Sequence, residues 1–272
     1  MDPAAAKKRF IETSSFFTNC ETADPFADMM IDDCSFLDEI PSRSPCPKCH
    51  KSRKYYCYTC YVAVEQVAKR LPTVDLPVCV DIIRHAHEVE GKSTCAHAAL
   101  LAPRHVTVHT YPHVPDYTHE KVLLIFPGPS AVSLEECLRM DGEEPENGES
   151  RTSNEAQDIP KFPFTKVVFI DSTWRQTKLL YNDPRLKRLP CVSLSGSYPS
   201  LYWRYSRLKG PSHLSTVEAL HRFCGELHSA LRLPRDDRSQ YDNLLFFFRF
   251  MYFRIRAQYG PHNIRAYAGH EG

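Results

Sequence analysis

The run Val167-Val168-Phe169-Ile170, closed by Asp171-Ser172-Thr173-Trp174, constrains the chain more than any other stretch. Apolar at consecutive positions, and flanked by Pro163 and a polar turn, it reads as a strand buried on both faces. Such a strand belongs in a parallel sheet with helices on either side. The residues that follow, Arg175-Gln176-Thr177-Lys178-Leu179-Leu180, have helical composition, and Ser172 or Thr173 can cap their start. A strand, a short polar turn and a helix N-terminus mark where open α/β sheets gather ligands. Backbone N–H groups and side-chain oxygens converge there, at the carboxyl edge. Trp174 adds a flat apolar face suited to a ring or a sulfonium cation. The plain alternative is an Asp that caps a helix and a Trp that fills the core.

The rest of the chain alternates in the same way. Strands are expected at Val78–Ile83, His105–Thr110, Val122–Phe126 and Cys191–Leu194. Helices are expected at Lys92–Leu101, Ser130–Met140, from the Asp171 turn to about Tyr181, at Ser215–Leu231 and at Tyr241–Gln258. The last, with Phe246, Phe247, Phe248, Phe250, Tyr252 and Phe253, reads as a packed core helix. Alternating strands and helices predict an α/β fold with a mainly parallel sheet and helices on both faces. Residues 1–40 carry Asp24, Asp28, Asp32, Asp33, Asp38 and Glu39 with few patterned apolar positions, and are expected to form a disordered acidic tail. Residues 141–149 hold five acids and no base, which predicts an acidic disordered linker over 141–160.

Two C-x-x-C knuckles, Cys46–Cys49 and Cys57–Cys60, are separated by seven residues. Thiolates so spaced can surround one zinc tetrahedrally, and with all four ligands supplied by protein the site is structural. A redox C-x-x-C would open a helix after a strand, and neither pair has room for that. A zinc module is therefore expected over 41–65, ahead of a larger domain over 66–260. With 11 cysteines and no apolar block at the N-terminus, reduced thiols and an intracellular setting, nuclear or cytoplasmic, are expected. No apolar stretch approaches the roughly 18 residues of a membrane span.

The net charge of +1 hides an uneven distribution. From Trp174 to Gly210 eight Lys or Arg, including Arg175, Lys178, Arg204, Arg207 and Lys209, face one acid, Asp183. Tyr181, Tyr198, Tyr202, Trp203 and Tyr205 are interleaved. Cations neutralise phosphates while rings stack on unpaired bases, so this segment is a candidate RNA surface; the alternative is a solvated face with tyrosines packed beneath it. Ala86–Thr94 mimics a phosphate-binding loop, but it lacks the first glycine and sets Glu88 and Glu90 where phosphates would lie.

Several motifs together resemble the DTW-domain family: the four-cysteine knuckle, Gly91-Lys92-Ser93-Thr94 leading to Leu100-Leu101-Ala102-Pro103, and Phe126-Pro127-Gly128-Pro129-Ser130. Asp171-Ser172-Thr173-Trp174, Leu214-Ser215-Thr216-Val217-Glu218-Ala219 and Tyr241-Asp242-Asn243-Leu244-Leu245-Phe246 follow in the expected order over roughly 45–258. The family's usual His-Pro-x-Glu is here His85-Ala86-His87-Glu88, and loss of the proline relaxes that turn. The resemblance implies a SPOUT-like, knotted fold. It also implies transfer of the 3-amino-3-carboxypropyl group from S-adenosylmethionine to N3 of a tRNA uridine, in the D-loop for eukaryotic relatives. No further protein partner is evident.

On that resemblance Asp171, Thr173 and Trp174 are the catalytic candidates. Phe126, Pro127, Gly128, Ser130, Ser172, Ser93, Thr94, Ser215 and Thr216 are candidates to line the cofactor, with Gly128 letting backbone approach it closely. Asp171 is a candidate base for uracil N3–H, for which burial would have to raise it from about 3.9; the other candidate role is to hold the cofactor's ammonium. Glu218 reads first as the partner of Ser215 in a capping box. A methyltransferase of the same fold and a non-enzymatic zinc-containing RNA-binding protein are the alternatives.

Overall fold

The computed structural model describes residues 24–140, 164–196, 199–203, 214–231 and 235–259. The acidic linker expected at 141–160, and residues 1–23 of the expected tail, lie outside them. Two short hairpins come first: β1 (Ser44–Pro45) with β2 (Ser52–Arg53), and β3 (Tyr56–Cys57) with β4 (Val62–Ala63). They carry the four cysteines and lead through α1 (Glu65–Ala68) into the main domain.

The main domain is built on six strands: β5 (Cys79–Arg84), β6 (Val106–Thr110), β7 (Val122–Ile125), β8 (Val132–Ser133), β9 (Lys166–Asp171) and β10 (Cys191–Ser193). Their spatial order is β6-β5-β9-β7-β10-β8, and every pairing is parallel. The helices are α2 (Cys95–Leu101), α3 (Leu134–Met140), α4 (Trp174–Tyr181), α5 (Pro184–Lys187), α6 (Thr216–Ala230) and α7 (Phe246–Tyr259).

β9 lies between β5 and β7, and its alternation explains the apolar run. Val167 and Phe169 join Val80, Ile82, Leu123 and Ile125 in a core with residues of α2, α6 and α7, where Phe223 meets Phe169 edge-on at 6.0 Å. Val168 faces the other way, with Ile83, Val122 and Leu124 against Leu180 of α4 and Leu186 of α5. Both faces are thus covered, as the unbroken run requires, and each such side chain contributes about 1.5–3 kcal/mol of burial. Because Asp171 lies two residues beyond Phe169, its side chain shares that face, on the α6 side.

Four expectations need correction. The acidic tail is not disordered over its described part, 24–40. Phe26 meets Phe248, Tyr252 and Phe253 edge-on at 6.3, 5.4 and 5.9 Å, and Phe36 lies against Phe246. Its acids are used: Asp24 pairs with Arg249 at 3.4 Å and Asp38 with Arg254. The helix expected from Ser130 starts at Leu134, because Val132–Ser133 pairs with β10 as an edge strand. The helix expected from Tyr241 starts at Phe246, after a 3₁₀ segment, Arg235–Leu245, in which Asp242 and Asn243 accept the backbone N–H groups of Met30 and Asp32. The helix expected from Lys92 starts at Cys95, since Ser93 turns its hydroxyl to Asp171 and accepts the Cys95 N–H. Among the described residues no helix is long and apolar enough to cross a membrane.

Candidate functional site

Asp171 ends β9 at the carboxyl edge of the sheet and is only 5% exposed. Its Oδ2 accepts the Ser93 hydroxyl at 2.6 Å, and its Oδ1 accepts the Thr216 hydroxyl at 2.5 Å. Ser93 precedes α2 and Thr216 opens α6, so one carboxylate pins the starts of two helices to the end of the central strand. Thr94 is buried beside them and accepts the Val217 N–H at 3.2 Å, a direct tie between the same two helix starts. Ser93, Thr94, Thr216 and Asp171 therefore lie together at one point of the sheet edge.

Ser215 belongs to it through Glu218, which accepts the Ser215 N–H at 2.7 Å. That capping bond was legible in sequence. The sequence did not show that Glu218 also accepts the Ser200 hydroxyl at 2.9 Å and the Leu201 N–H at 2.8 Å. It thereby fastens residues 200–201 over the α6 start, and the next residue, Tyr202, donates its hydroxyl to the Lys92 carbonyl at 2.6 Å. Tyr202 and Trp203 pack on Phe248, at 6.4 and 5.3 Å, so these two rings serve the core. Arg204, Arg207 and Lys209, expected on the RNA surface, lie outside the described residues.

The other candidates sit along the same edge but do other work. The Ser172 hydroxyl meets that of Thr177 at 2.9 Å. Thr173 donates its N–H and its hydroxyl to Gln176 at 3.1 and 2.8 Å, which caps α4. Trp174 and Arg175 begin α4, and their side chains lie outside the described residues; Lys178 is exposed on it. One strand over, Phe126 lies against the Tyr181 ring at 4.8 Å, while Pro127 and Ser130 are exposed. Gly128 has a packing reason: an added Cβ would meet Tyr181 Oη at 2.7 Å and Cys191 Sγ at 3.3 Å. The absence of a side chain at Gly128 leaves room for that ring.

Three residues that sequence reasoning missed complete the edge. Arg84 ends β5 in register with Asp171, and only 7% of it is exposed. Its Nη2 donates to Thr110 at 3.1 Å and its Nη1 pairs with Glu90 at 3.3 Å, while its Nε is buried without a hydrogen-bond partner among the described residues. Glu90 also accepts the Thr59 hydroxyl at 2.5 Å, which joins the cysteine module to the site. Tyr61 has a left-handed φ of 52°, its N–H donates to Cys57 O at 2.8 Å, and its hydroxyl feels the charges of Arg84 and Asp171. Burial, with the Cys95 thiol next, pushes that hydroxyl well above the usual phenol range, so it stays a protonated donor. The only sequence signal for Arg84 is a cation directly after the apolar pair Ile82-Ile83.

His85 continues from Arg84, and its N–H bonds the Asp171 carbonyl at 2.9 Å. The missing proline at Ala86 is made good locally: His87 N–H donates to His85 Nδ1 at 3.1 Å, and Glu88 N–H donates to His85 O at 3.0 Å. Burial, and then His87, hold the His85 ring below the usual imidazole range. The phosphate-loop mimic is occupied by its own turns, since Lys92 and Ser93 N–H both donate to Val89 O.

The ligand atoms of Cys46, Cys49, Cys57 and Cys60 all lie within 4.8 Å of one another, with Cys49 and Cys57 sulfurs 3.7 Å apart. A tetrahedral zinc with bonds of about 2.3 Å requires sulfur separations near that value. Backbone N–H groups of Lys48 and Cys49 point at the Cys46 sulfur, and Arg53 Nε lies 3.4 Å from that of Cys57. Burial resists ionisation of Cys57, but Arg53 and the amides of Cys60 and Thr59 outweigh it and bring the thiol to about 6. The cluster is consistent with one structural zinc.

The DTW-domain family profile matches residues 54–256, from the cysteine module to the last helix. The chain belongs to the DTW-domain family. It is 42% identical to tRNA-uridine aminocarboxypropyltransferase 1 of Xenopus tropicalis over 77% of this chain and 78% of that protein. The namesake of Mus musculus is 40% identical over 79% and 77%, and that of Homo sapiens 37% identical over 91% and 90%. No solved structure matches the chain.

Proposed function

We infer that this DTW-domain protein is a tRNA-uridine aminocarboxypropyltransferase that uses S-adenosylmethionine, working inside the cell. The observation that carries the reading is the Asp171 centre, which lies within a match to relatives of that name over three quarters or more of both chains. Bound S-adenosylmethionine would supply the electrophilic carbon for a new bond to uracil N3, with methylthioadenosine as the leaving group and the N3 proton passing to solvent.

The task of the chain's own residues is to position. A buried carboxylate, a buried guanidinium with an unused donor and several hydroxyls share one sheet edge, a set suited to a charged, polar ligand. Both Asp171 oxygens already accept hydroxyl protons, an arrangement that suits holding an ammonium better than taking a proton from uracil. We therefore assign Asp171 to the ammonium, with Ser93, Thr94, Ser215 and Thr216 around it. Phe126–Ser130, Ser172 and Thr173 border the same edge, and Trp174 is assigned to the sulfonium side. Basic residues from Arg175 to Lys209 would take the tRNA backbone, and the loops at this edge would carry the family's SPOUT-like knot.

Unmodified tRNA incubated with S-adenosylmethionine labelled either in the carboxyl carbon or in the methyl tests the reading. Label reaching RNA from the carboxyl carbon alone supports it. Label from the methyl alone would make the protein a methyltransferase of the same family.

A further inference from the structure

Arg84 and Asp171 are opposite charges at the ends of neighbouring strands, in register on the same face, and each is more than nine-tenths buried. Such a pair ordinarily closes on itself, since a buried charge is costly without a partner. These two do not. Asp171 accepts the hydroxyls of Ser93 and Thr216, Arg84 leans on Glu90 and Thr110, and Nε of Arg84 has no acceptor among the described residues. An unsatisfied buried guanidinium donor costs free energy in the unliganded protein, and an anion arriving beside Asp171 would remove that cost.

The ligand chemistry that fits is a zwitterion. An amino acid carries its ammonium and carboxylate on one carbon, and neighbouring strand ends stand about 4.8 Å apart. A cation and an anion set side by side at that spacing match the two groups. We propose that Arg84 binds the α-carboxylate of the aminocarboxypropyl group while Asp171 takes its ammonium, so that a cross-strand pair grips the moiety that is transferred. This rests on the cofactor reading above and adds a residue and a role to it. Glu90 is the positioning residue: its carboxylate holds the guanidinium at 3.3 Å and is itself held by Thr59 of the cysteine module. Tyr61, from the same module, bears on both charges. After transfer the pair would hold the new uridine side chain, whereas methylthioadenosine, which lacks both charges, would have lost its grip.

Calorimetry on the full-length protein tests this without turnover. S-adenosylmethionine and its decarboxylated analogue differ only in the carboxylate, and methylthioadenosine reports on the nucleoside pocket. Wild-type protein is expected to favour S-adenosylmethionine over the analogue by about 10- to 100-fold, the worth of a buried charged hydrogen bond. R84Q should bring that preference close to unity while methylthioadenosine binds as before, and R84K, which keeps charge but not the fork, should fall between. Equal wild-type affinity for the two sulfonium ligands overturns the proposal even if no variant folds, and so does an R84Q protein that still discriminates. The outcome is independent of which carbon is transferred: a methyl product would refute the functional reading and leave the Arg84 assignment to stand or fall on these affinities.

Discussion

At the scale of the residue, one substitution at Asp171 bears on both the fold and the proposed ligand contact. Asp171→Asn keeps the shape but offers one acceptor oxygen to two hydroxyls, so Ser93 or Thr216 must give up its bond. The expected cost is about 1–3 kcal/mol of stability, read from a denaturant melt, together with a loss of label transfer of 100-fold or more on the order expected for a removed charge contact. Wild-type turnover in this variant would remove Asp171 from the site. Gly128 makes a second residue-scale prediction. Gly128→Ala drives a methyl into Tyr181 and Cys191 and should destabilise by about 1–3 kcal/mol. Tyr181→Phe, which deletes the hydroxyl at 2.7 Å, should return part of that loss. Additive losses in the double variant would mean that the clash lies elsewhere. Asp171 was legible because a carboxylate closing an apolar strand has few uses. Arg84 and Tyr61 were not legible, because their significance comes from register across strands and from a knuckle that folds back, which local patterns do not encode.

At the scale of the element, the cysteine module and the first described segment each hold something larger in place. The module was readable from spacing alone, whereas its contact with the site through Thr59 and Glu90 was not. Cys57→Ser removes the thiol that Arg53 activates, and the protein should then lose bound zinc and melt earlier, as metal analysis and calorimetry would show. Undiminished zinc in that variant would refute the assignment. The packing of the segment at 24–40 is hidden in the sequence because acids dominate its composition. Phe26 and Phe36 stand alone without periodicity, and their partners are more than 200 residues away. Phe246, Phe247 and Phe248 are consecutive and fully buried, which a helix tolerates only when it is covered on several sides. Phe26→Ala should therefore cost about 3–5 kcal/mol, well beyond what trimming a disordered tail would cost. An unchanged midpoint would restore the tail reading.

At the scale of the whole molecule, the sheet order explains why so many candidate residues meet. β5, β9 and β7 are neighbours and all parallel, so the loops after Arg84, Asp171 and Ile125 open on one edge. The helices that return to that edge bring Ser93 and Thr216 to Asp171. Alternation of strand and helix in the sequence predicts such a sheet but not its order, because the order depends on which crossovers skip a strand. The edge strand Val132–Ser133 has no signature in the sequence, since two residues carry no period. The decisive property of this edge is what it does to RNA. Unmodified tRNA should be treated with the protein and S-adenosylmethionine, digested to nucleosides and weighed. A uridine heavier by one aminocarboxypropyl group in place of a proton is the expected product. A uridine heavier only by a methyl in place of a proton would show that the edge presents a different carbon, and uridine of unchanged mass would leave an RNA-binding protein with no transferase.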